Sequence, residues 1–167
     1  MGKGLLVIDM QNFSVGKNHS TYFKYDRERL ISSVNKRILD YDNRSVIYIV
    51  NIMKNNLINK LAPFKAYEGT EDAELANELM VVSNNIFKKY TGDAFVNKEL
   101  NSYLKTMDID EVEIIGVDGA GCVAQTALGA IENGYKVTLN IDSIGTMFTK
   151  KADKLNQKLR AKGATFI

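Results

Sequence analysis

Short apolar runs rich in β-branched residues recur along the chain, separated by longer amphipathic stretches, and this alternation constrains the fold more than any other feature. Strands buried on both faces read as near-continuous apolar runs, whereas the helices that cross between them keep a polar face. The pattern therefore predicts βα units around a parallel sheet. Strands are expected near Gly4 to Ile8, Val46 to Asn51, Asn85 to Lys88, Val112 to Val117, Lys136 to Ile141 and Thr165 to Ile167. Leu30, Val34, Ile38 and Tyr41 recur at helical spacing, as do Leu75, Leu79 and Val82, then Leu100, Leu104 and Met107, then Val123, Ala127 and Ile131. Gly134 and Gly163 fall where helices would end. The stretch from Met53 to Gly69 lacks periodicity and holds the only proline, Pro63, so it is expected to be a long loop with room for a short helix. The expected class is α/β: a three-layer, Rossmann-like open sheet of about six mostly parallel strands with helices on both faces. At 167 residues, the chain is expected to form one domain over 1–167.

Composition narrows the function. Twenty-two basic and 20 acidic side chains leave a charge of +2, which argues against a strongly basic nucleic-acid binder and against an acidic disordered tail. No apolar run approaches the ~20 residues of a transmembrane helix, and the N-terminus lacks the apolar stretch of a signal peptide, so a cytoplasmic location is expected, with no nucleic-acid or membrane partner. One cysteine excludes an intrachain disulfide and a cysteine zinc cluster, and one histidine, His19, excludes paired-imidazole sites.

In an open α/β sheet, ligands bind beyond the carboxyl ends of the strands. The residues there are Asp9, Asn51, Lys89, Asp118 to Cys122 and Asp142. The stretch EVEIIGVDGAGCVAQTALGAIENGY reads as a buried strand, a glycine-containing turn and a helix starting around Cys122. An isolated cysteine is ordinarily a small buried hydrophobe. At a helix start, however, the positive end of the dipole is expected to lower the thiol pKa and favour a nucleophilic thiolate. Gly119, Gly121 and Ala124 also fit a dinucleotide-binding fingerprint, with Asp142 about 20 residues on. Against that reading, only 25 residues follow Asp142, too few to complete a nucleotide-binding sheet. Asp9 closes the apolar strand LLVID, where a carboxylate serves either as a general base or as a turn cap. Of the adjacent Lys88 and Lys89, one can enter the cleft while the other faces solvent.

Taken together, LLVIDMQNF at 5–13, the Gly69 and Thr70 turn ahead of a helix, KYTGDAF at 89–95 and GVDGAGCVAQTALGAIENGY at 116–135 resemble the isochorismatase-like cysteine hydrolases, which include nicotinamidases and N-carbamoylsarcosine amidohydrolases. The resemblance covers nearly the whole chain. It implies a catalytic Asp9, Lys89 and Cys122, with Lys89 chosen over Lys88 because the family lysine lies six residues before the phenylalanine matched by Phe95. It also implies a cis peptide between Val117 and Asp118 that would aim the backbone N–H groups of Asp118 and Cys122 at an oxyanion. The family's metal-binding nicotinamidases carry an aspartate and two histidines after the second strand. This chain has IVNIMKNN there, so a metal-dependent nicotinamidase is not expected.

The implied reaction is hydrolysis of a C–N bond in a small amide through a thioester, with no metal or organic cofactor. Position alone suggests Phe13, Asn51, Met53 and Tyr90 as pocket lining, and gives Gln11, Thr126 and Asp142 to turns and packing. Relatives commonly form dimers or tetramers, so a homo-oligomer is expected. Two other readings stand beside this one: vinyl ether hydrolysis of the isochorismatase kind, and a catalytically silent binding or regulatory protein.

Overall fold

The computed structural model describes residues 2–167. Six strands form one parallel sheet: β1 (Gly2–Ile8), β2 (Val46–Asn51), β3 (Ile86–Lys89), β4 (Ile109–Val117), β5 (Lys136–Gly145) and β6 (Thr165–Phe166). Their spatial order is β3-β2-β1-β4-β5-β6. Winding reverses between β1 and β4, so a crevice opens where the chain leaves the carboxyl ends of these two neighbours. The helices are α1 (Asn12–Val15), α2 (Arg27–Ile38), α3 (Leu57–Lys60), α4 (Lys98–Thr106), α5 (Cys122–Glu132) and α6 (Thr149–Ala161). No helix of the described residues is long and apolar enough to cross a membrane.

Side-chain alternation along the strands builds two cores. Leu6, Ile8, Ile47, Ile49 and Ile114 face α4, α5 and α6 through Leu104, Ala127 and Leu159, whereas Leu5, Val7, Tyr48 and Ile115 face α2 through Leu30, Val34 and Ile38. Helix ends follow local chemistry. The Asp26 side chain accepts from the Arg29 N–H to start α2, and Gly134 and Gly163 take positive φ just past α5 and α6.

The strands agree with the sequence pattern, although β4 begins at Ile109 and β5 runs on to Gly145 across a register shift. The helix expected from Leu75, Leu79 and Val82 is absent. That segment is held extended by side chains that satisfy its backbone: Asn35 Oδ1 accepts from Met80 N at 2.7 Å, while Tyr48 Oη donates to Met80 O at 2.8 Å and accepts from Val82 N at 3.1 Å. Leu79 and Val82 still pack on the α2 core, so the spacing reported burial rather than helicity. The turn at Gly69 and Thr70 leads into a single 3-10 turn at Glu71–Ala73. Helix α6, which the pattern did not single out, buries Ala152 and Leu159.

Candidate active site

Asp9 is the residue at which β1 stops being a strand. The preceding Ile8 is fully buried between Ile49 and Gly116 of the flanking strands. At Asp9 the backbone turns left-handed (φ 53°), a conformation that Asp tolerates better than most residues. Its N–H donates to Ile49 O at 2.9 Å, and its carbonyl accepts from Gln11 N at 2.8 Å and Ser14 Oγ at 2.7 Å. Gly116, beside it on β4, has φ +108°, and a Cβ there would lie 2.2 Å from Ile8 O. The two strands thus approach closely where the crevice opens, and the Asp9 side chain stands in it at 4% exposure.

Lys89 ends β3, two strands away from β1. With neighbouring strands ~4.8 Å apart, only a long side chain reaches that far. Lys89 Nζ donates to Asp9 Oδ2 at 2.9 Å and to Thr91 O at 3.1 Å, and lies 3.4 Å from Asn51 Oδ1 and 3.2 Å from Cys122 Sγ. It is 2% exposed, whereas its neighbour Lys88 points to solvent and pairs with Glu68. Burial lowers the Lys89 pKa, but the charges and hydrogen bonds of Asp9 and Cys122 outweigh it and leave the pKa raised. The group stays an ammonium. The other Asp9 oxygen, Oδ1, is buried and has no hydrogen-bond partner among the described residues.

Cys122 opens α5 just past the β4 exit, and the peptide between Val117 and Asp118 is cis. The Asp118 carboxylate organises this turn. Oδ1 accepts from Ala120 N at 2.8 Å, and Oδ2 accepts from Met147 N at 2.8 Å and from Tyr25 Oη at 3.1 Å. Burial and the Asp118 charge push the Tyr25 pKa up, so its hydroxyl remains a donor. Asp118 O accepts from Gly121 N and Val123 N, and Gly119 N donates to Gly145 O. The N–H groups of Asp118 and Cys122 are left without an acceptor among the described residues. Two free donors beside one thiol can hold an oxygen that gains negative charge.

The thiol pKa runs opposite to the sequence expectation. Burial and the Asp9 charge push Cys122 up to about 12, against the downward pull of Lys89. The helix-start argument foresaw a lowered value because it contained neither the desolvation of a half-buried sulfur nor the nearby carboxylate. In this resting arrangement the thiol keeps its proton.

The remaining candidates separate. Asn51 sits against Lys89 and is held by buried Gln11, whose Oε1 accepts from Asn51 N at 2.7 Å while Nε2 donates to Asn51 O at 3.1 Å and Ala73 O at 2.6 Å. Phe13 and Met53 join an apolar cluster in which the Phe13 ring stacks on Phe64 with centroids 5.0 Å apart and Phe23 packs on both. Tyr90 stands apart, 53% exposed in a groove along the β3 edge with Val96 and Asn97. Strand alternation explains this, because the residue after an inward Lys89 turns outward. His19 Nδ1 is hydrogen-bonded to Gly16 O at 2.8 Å in the loop after α1. Thr126 supports the turn after β3 through Ala94 N, and Asp142 is an exposed partner of Arg29. Tyr25 and Met147 were not foreseen; nothing local in the sequence ties them to Asp118.

The dinucleotide reading does not fit this turn. A Cβ at Gly119 would lie 2.2 Å from Thr146 Oγ1, so the glycine packs against the β5 exit instead of leaving room for a diphosphate.

Residues 3–167 match the isochorismatase domain. The chain is 26% identical over 157 residues to a "probable inactive nicotinamidase" of Arabidopsis thaliana, covering 83% of this chain and 78% of that protein. It superposes on the zinc-bound pyrazinamidase of Pyrococcus horikoshii with a TM-score of 0.84 at 20% identity, covering 99% of this chain and 98% of the other. The N-carbamoylsarcosine amidase of Thermoplasma acidophilum gives 0.82 at 22% identity, with 99% and 95% covered. A zinc ion does not fit the residues present. Among the described residues no group of three or more His, Cys, Asp and Glu could hold a metal, and the β2 exit offers the amide Asn51, Ile52, Met53 and the cation Lys54.

Proposed function

Because the chain belongs to the isochorismatase family, we propose that it is a cysteine amidohydrolase that cleaves a C–N bond of a small, largely uncharged amide through Asp9, Lys89 and Cys122. One observation carries this reading: a buried ammonium lies 2.9 Å from Asp9 and 3.2 Å from Cys122, while the second Asp9 oxygen is buried and free to accept a proton.

A thiol that holds its proton at rest must lose it as it reacts. Sγ attacks the amide carbon while Asp9 takes the thiol proton, and Lys89 holds the carboxyl group in place. The carbonyl oxygen becomes an oxyanion held by the Asp118 and Cys122 N–H groups, each contributing about 3 kcal/mol. Asp9 then gives its proton to the departing amine and the thioester forms. Water, deprotonated by Asp9, hydrolyses the thioester and restores the thiol. The apolar cluster of Phe13, Phe23 and Phe64, against which Tyr25 and Met147 of the Asp118 turn pack, favours an uncharged substrate. A reduced nucleophilic thiol suits the cytoplasm.

A second reading is a silent binding protein, favoured by the name of the Arabidopsis relative. The experiment that separates the two is a panel of small amides with Cys122→Ala as the control, together with intact-mass detection of an acyl adduct on the wild type. An adduct on Cys122, and turnover lost in the variant, support the hydrolase. Turnover that survives Cys122→Ala removes nucleophilic catalysis, and no turnover on any amide moves the protein to the silent class.

A further inference from the structure

Among the described residues, two buried side-chain polar atoms have no hydrogen-bond partner: Asp9 Oδ1 and Tyr67 Oη. The proposed chemistry uses the first and gives no role to the second. Burying a hydroxyl without a compensating bond costs free energy, and phenylalanine would fill the same space without that cost. A tyrosine in this state calls for a partner that the chain itself does not supply.

The position of Tyr67 follows from the hydrogen bonds along β2. Tyr48 N donates to Asn85 O and Ile52 N to Lys89 O, on the β3 side, so the N–H groups of Asn51 and Met53 point the other way, toward β1. β1 ends as a strand at Ile8. Beyond it, three groups in turn take its place against β2. Asp9 N donates to Ile49 O at 2.9 Å, the Gln11 side chain bonds both N and O of Asn51, and Ala66 O accepts from Met53 N at 2.8 Å. Tyr67 pairs with Met53 in an isolated parallel bridge. Its backbone therefore lies in the lane that β1 vacates, beside the crevice and just beyond Gln11. Paired residues put their side chains on one face, as do residues two apart along a strand, so Tyr67 shares a face with Met53 and Asn51. On that face Asn51 Oδ1 lies 3.4 Å from Lys89 Nζ, which is itself 3.2 Å from Cys122 Sγ. The unpaired phenol thus belongs to the side of the sheet that carries the proposed nucleophile.

We propose that Tyr67 sets substrate specificity: its hydroxyl donates to a second carbonyl oxygen that the substrate carries beside the reacting amide. A carbonyl suits a single neutral donor, whereas a charged group buried against one hydroxyl would remain largely unsatisfied. An amide without the second acceptor leaves the hydroxyl unpaired and is disfavoured for that reason. The class of ligand rests on the amide reading above; the position of the hydroxyl does not.

NMR titration of Cys122→Ala, which binds without turnover, tests this with three pairs of amides that differ by one carbonyl: 2-oxopropanamide and propanamide, 3-oxobutanamide and butanamide, 4-oxopentanamide and pentanamide. At least one oxo amide should bind roughly tenfold tighter than its plain partner, the worth of one hydrogen bond. Tyr67→Phe in the same background should erase that ratio and leave the affinity of the plain amide unchanged. In the ligand-free wild-type background, Tyr67→Phe should unfold at a urea midpoint equal to or above that of the unaltered chain, because it deletes an unsatisfied group and no bond. A ratio that survives Tyr67→Phe overturns the proposal. So do equal affinities within all three pairs, binding of none of them, or a lowered midpoint, which would mean that the hydroxyl is already bonded. Turnover is read separately on the wild type: an intact binding ratio without hydrolysis removes the amidohydrolase reading and leaves Tyr67 in its role.

Discussion

Replacing Asp9 by Asn should make the Cys122 thiol more reactive to alkylation while abolishing turnover, and the two effects together isolate the role of the carboxylate. Asparagine is close in shape and tolerates the left-handed backbone at this position (φ 53°). The contacts of Lys89 Nζ, 2.9 Å to Asp9 Oδ2 and 3.2 Å to Cys122 Sγ, place the carboxylate oxygen within about 6.1 Å of the sulfur. At an effective dielectric of ~20, two unit charges at that outer limit interact by roughly 2.7 kcal/mol, or about two pKa units. Removing the carboxylate should therefore bring the thiol from about 12 towards ~10, with burial still holding it above a free cysteine. At any pH below these values the thiolate population rises ~100-fold. A less basic thiolate is also a poorer nucleophile, by a Brønsted factor near 0.5 per unit, so the net gain in alkylation rate is roughly tenfold. The assay is the iodoacetamide rate between pH 7 and 9.5, which reports on Cys122 alone because the chain has one cysteine. Amide turnover should fall at least ~100-fold, since both the base and the leaving-group acid are lost. An alkylation rate that is unchanged or slower in Asp9→Asn refutes the assignment of Asp9 as the group that keeps the thiol protonated. A wild-type rate that levels off below pH ~8.5 refutes the elevated thiol itself.

Tyr25→Phe removes one donor from Asp118 Oδ2 and leaves Met147 N; kcat should drop roughly tenfold with KM and melting temperature nearly unchanged, which steady-state kinetics and calorimetry check. Glu113 is fully buried on β4, where it accepts two hydrogen bonds from Arg37 at 2.6 and 2.7 Å and one from Tyr41 at 2.8 Å. Burial raises its pKa but these partners outweigh it and leave it lowered, so its stabilisation is present above the unfolded carboxylate value of ~4.3 and is lost as pH falls through the folded value. Glu113→Gln should cost about 3 kcal/mol, the low end for a broken buried pair because Arg37 is 25% exposed, lower the melting temperature by roughly 10 °C and flatten the acid limb of the stability curve. Lys89→Met alone should destabilise by about 3 kcal/mol through a stranded carboxylate, whereas Asp9→Asn/Lys89→Met should be neutral or more stable than wild type by about 1–4 kcal/mol in denaturant unfolding.

The sheet was legible because four of its strands, β1, β2, β4 and β5, carry buried apolar runs, and that signal survives without neighbours. β3 was the least distinct, being a four-residue edge strand whose exposed and half-buried residues alternate until Lys89. The segment around Leu75 to Val82 misled the helical reading because burial at spacings of three and four residues also arises when an extended chain is pinned by Asn35 and Tyr48. α6 was obscured because its short apolar stripe of Ala152, Leu155 and Leu159 is diluted by Lys150, Lys151, Lys154 and Lys158. The candidate site was legible where it depends on position along the sheet: Asp9, Lys89 and Cys122 all stand at strand exits. What depends on packing was not. Tyr25 lies 93 residues from Asp118, the outward turn of Tyr90 follows from which lysine faces inward, and the sign of the thiol shift is set by burial that no local pattern encodes.

The energetics of the crevice bear on whether this protein is an active enzyme or a silent relative. A buried ammonium and carboxylate pair is seldom a source of net stability, because desolvation offsets most of the attraction. Here the pair leaves Asp9 Oδ1 buried and without a hydrogen-bond partner among the described residues, which carries a further desolvation penalty of about 1–3 kcal/mol. Asp9 also adopts a backbone conformation that few residues prefer. A fold maintained only for binding or assembly would lose nothing if apolar side chains filled the same space, and it would gain stability. Local departures from good packing belong where chemistry requires them. The three unfavourable features converge on one residue, Asp9, the proton acceptor of the proposed mechanism, which gives each of them a use.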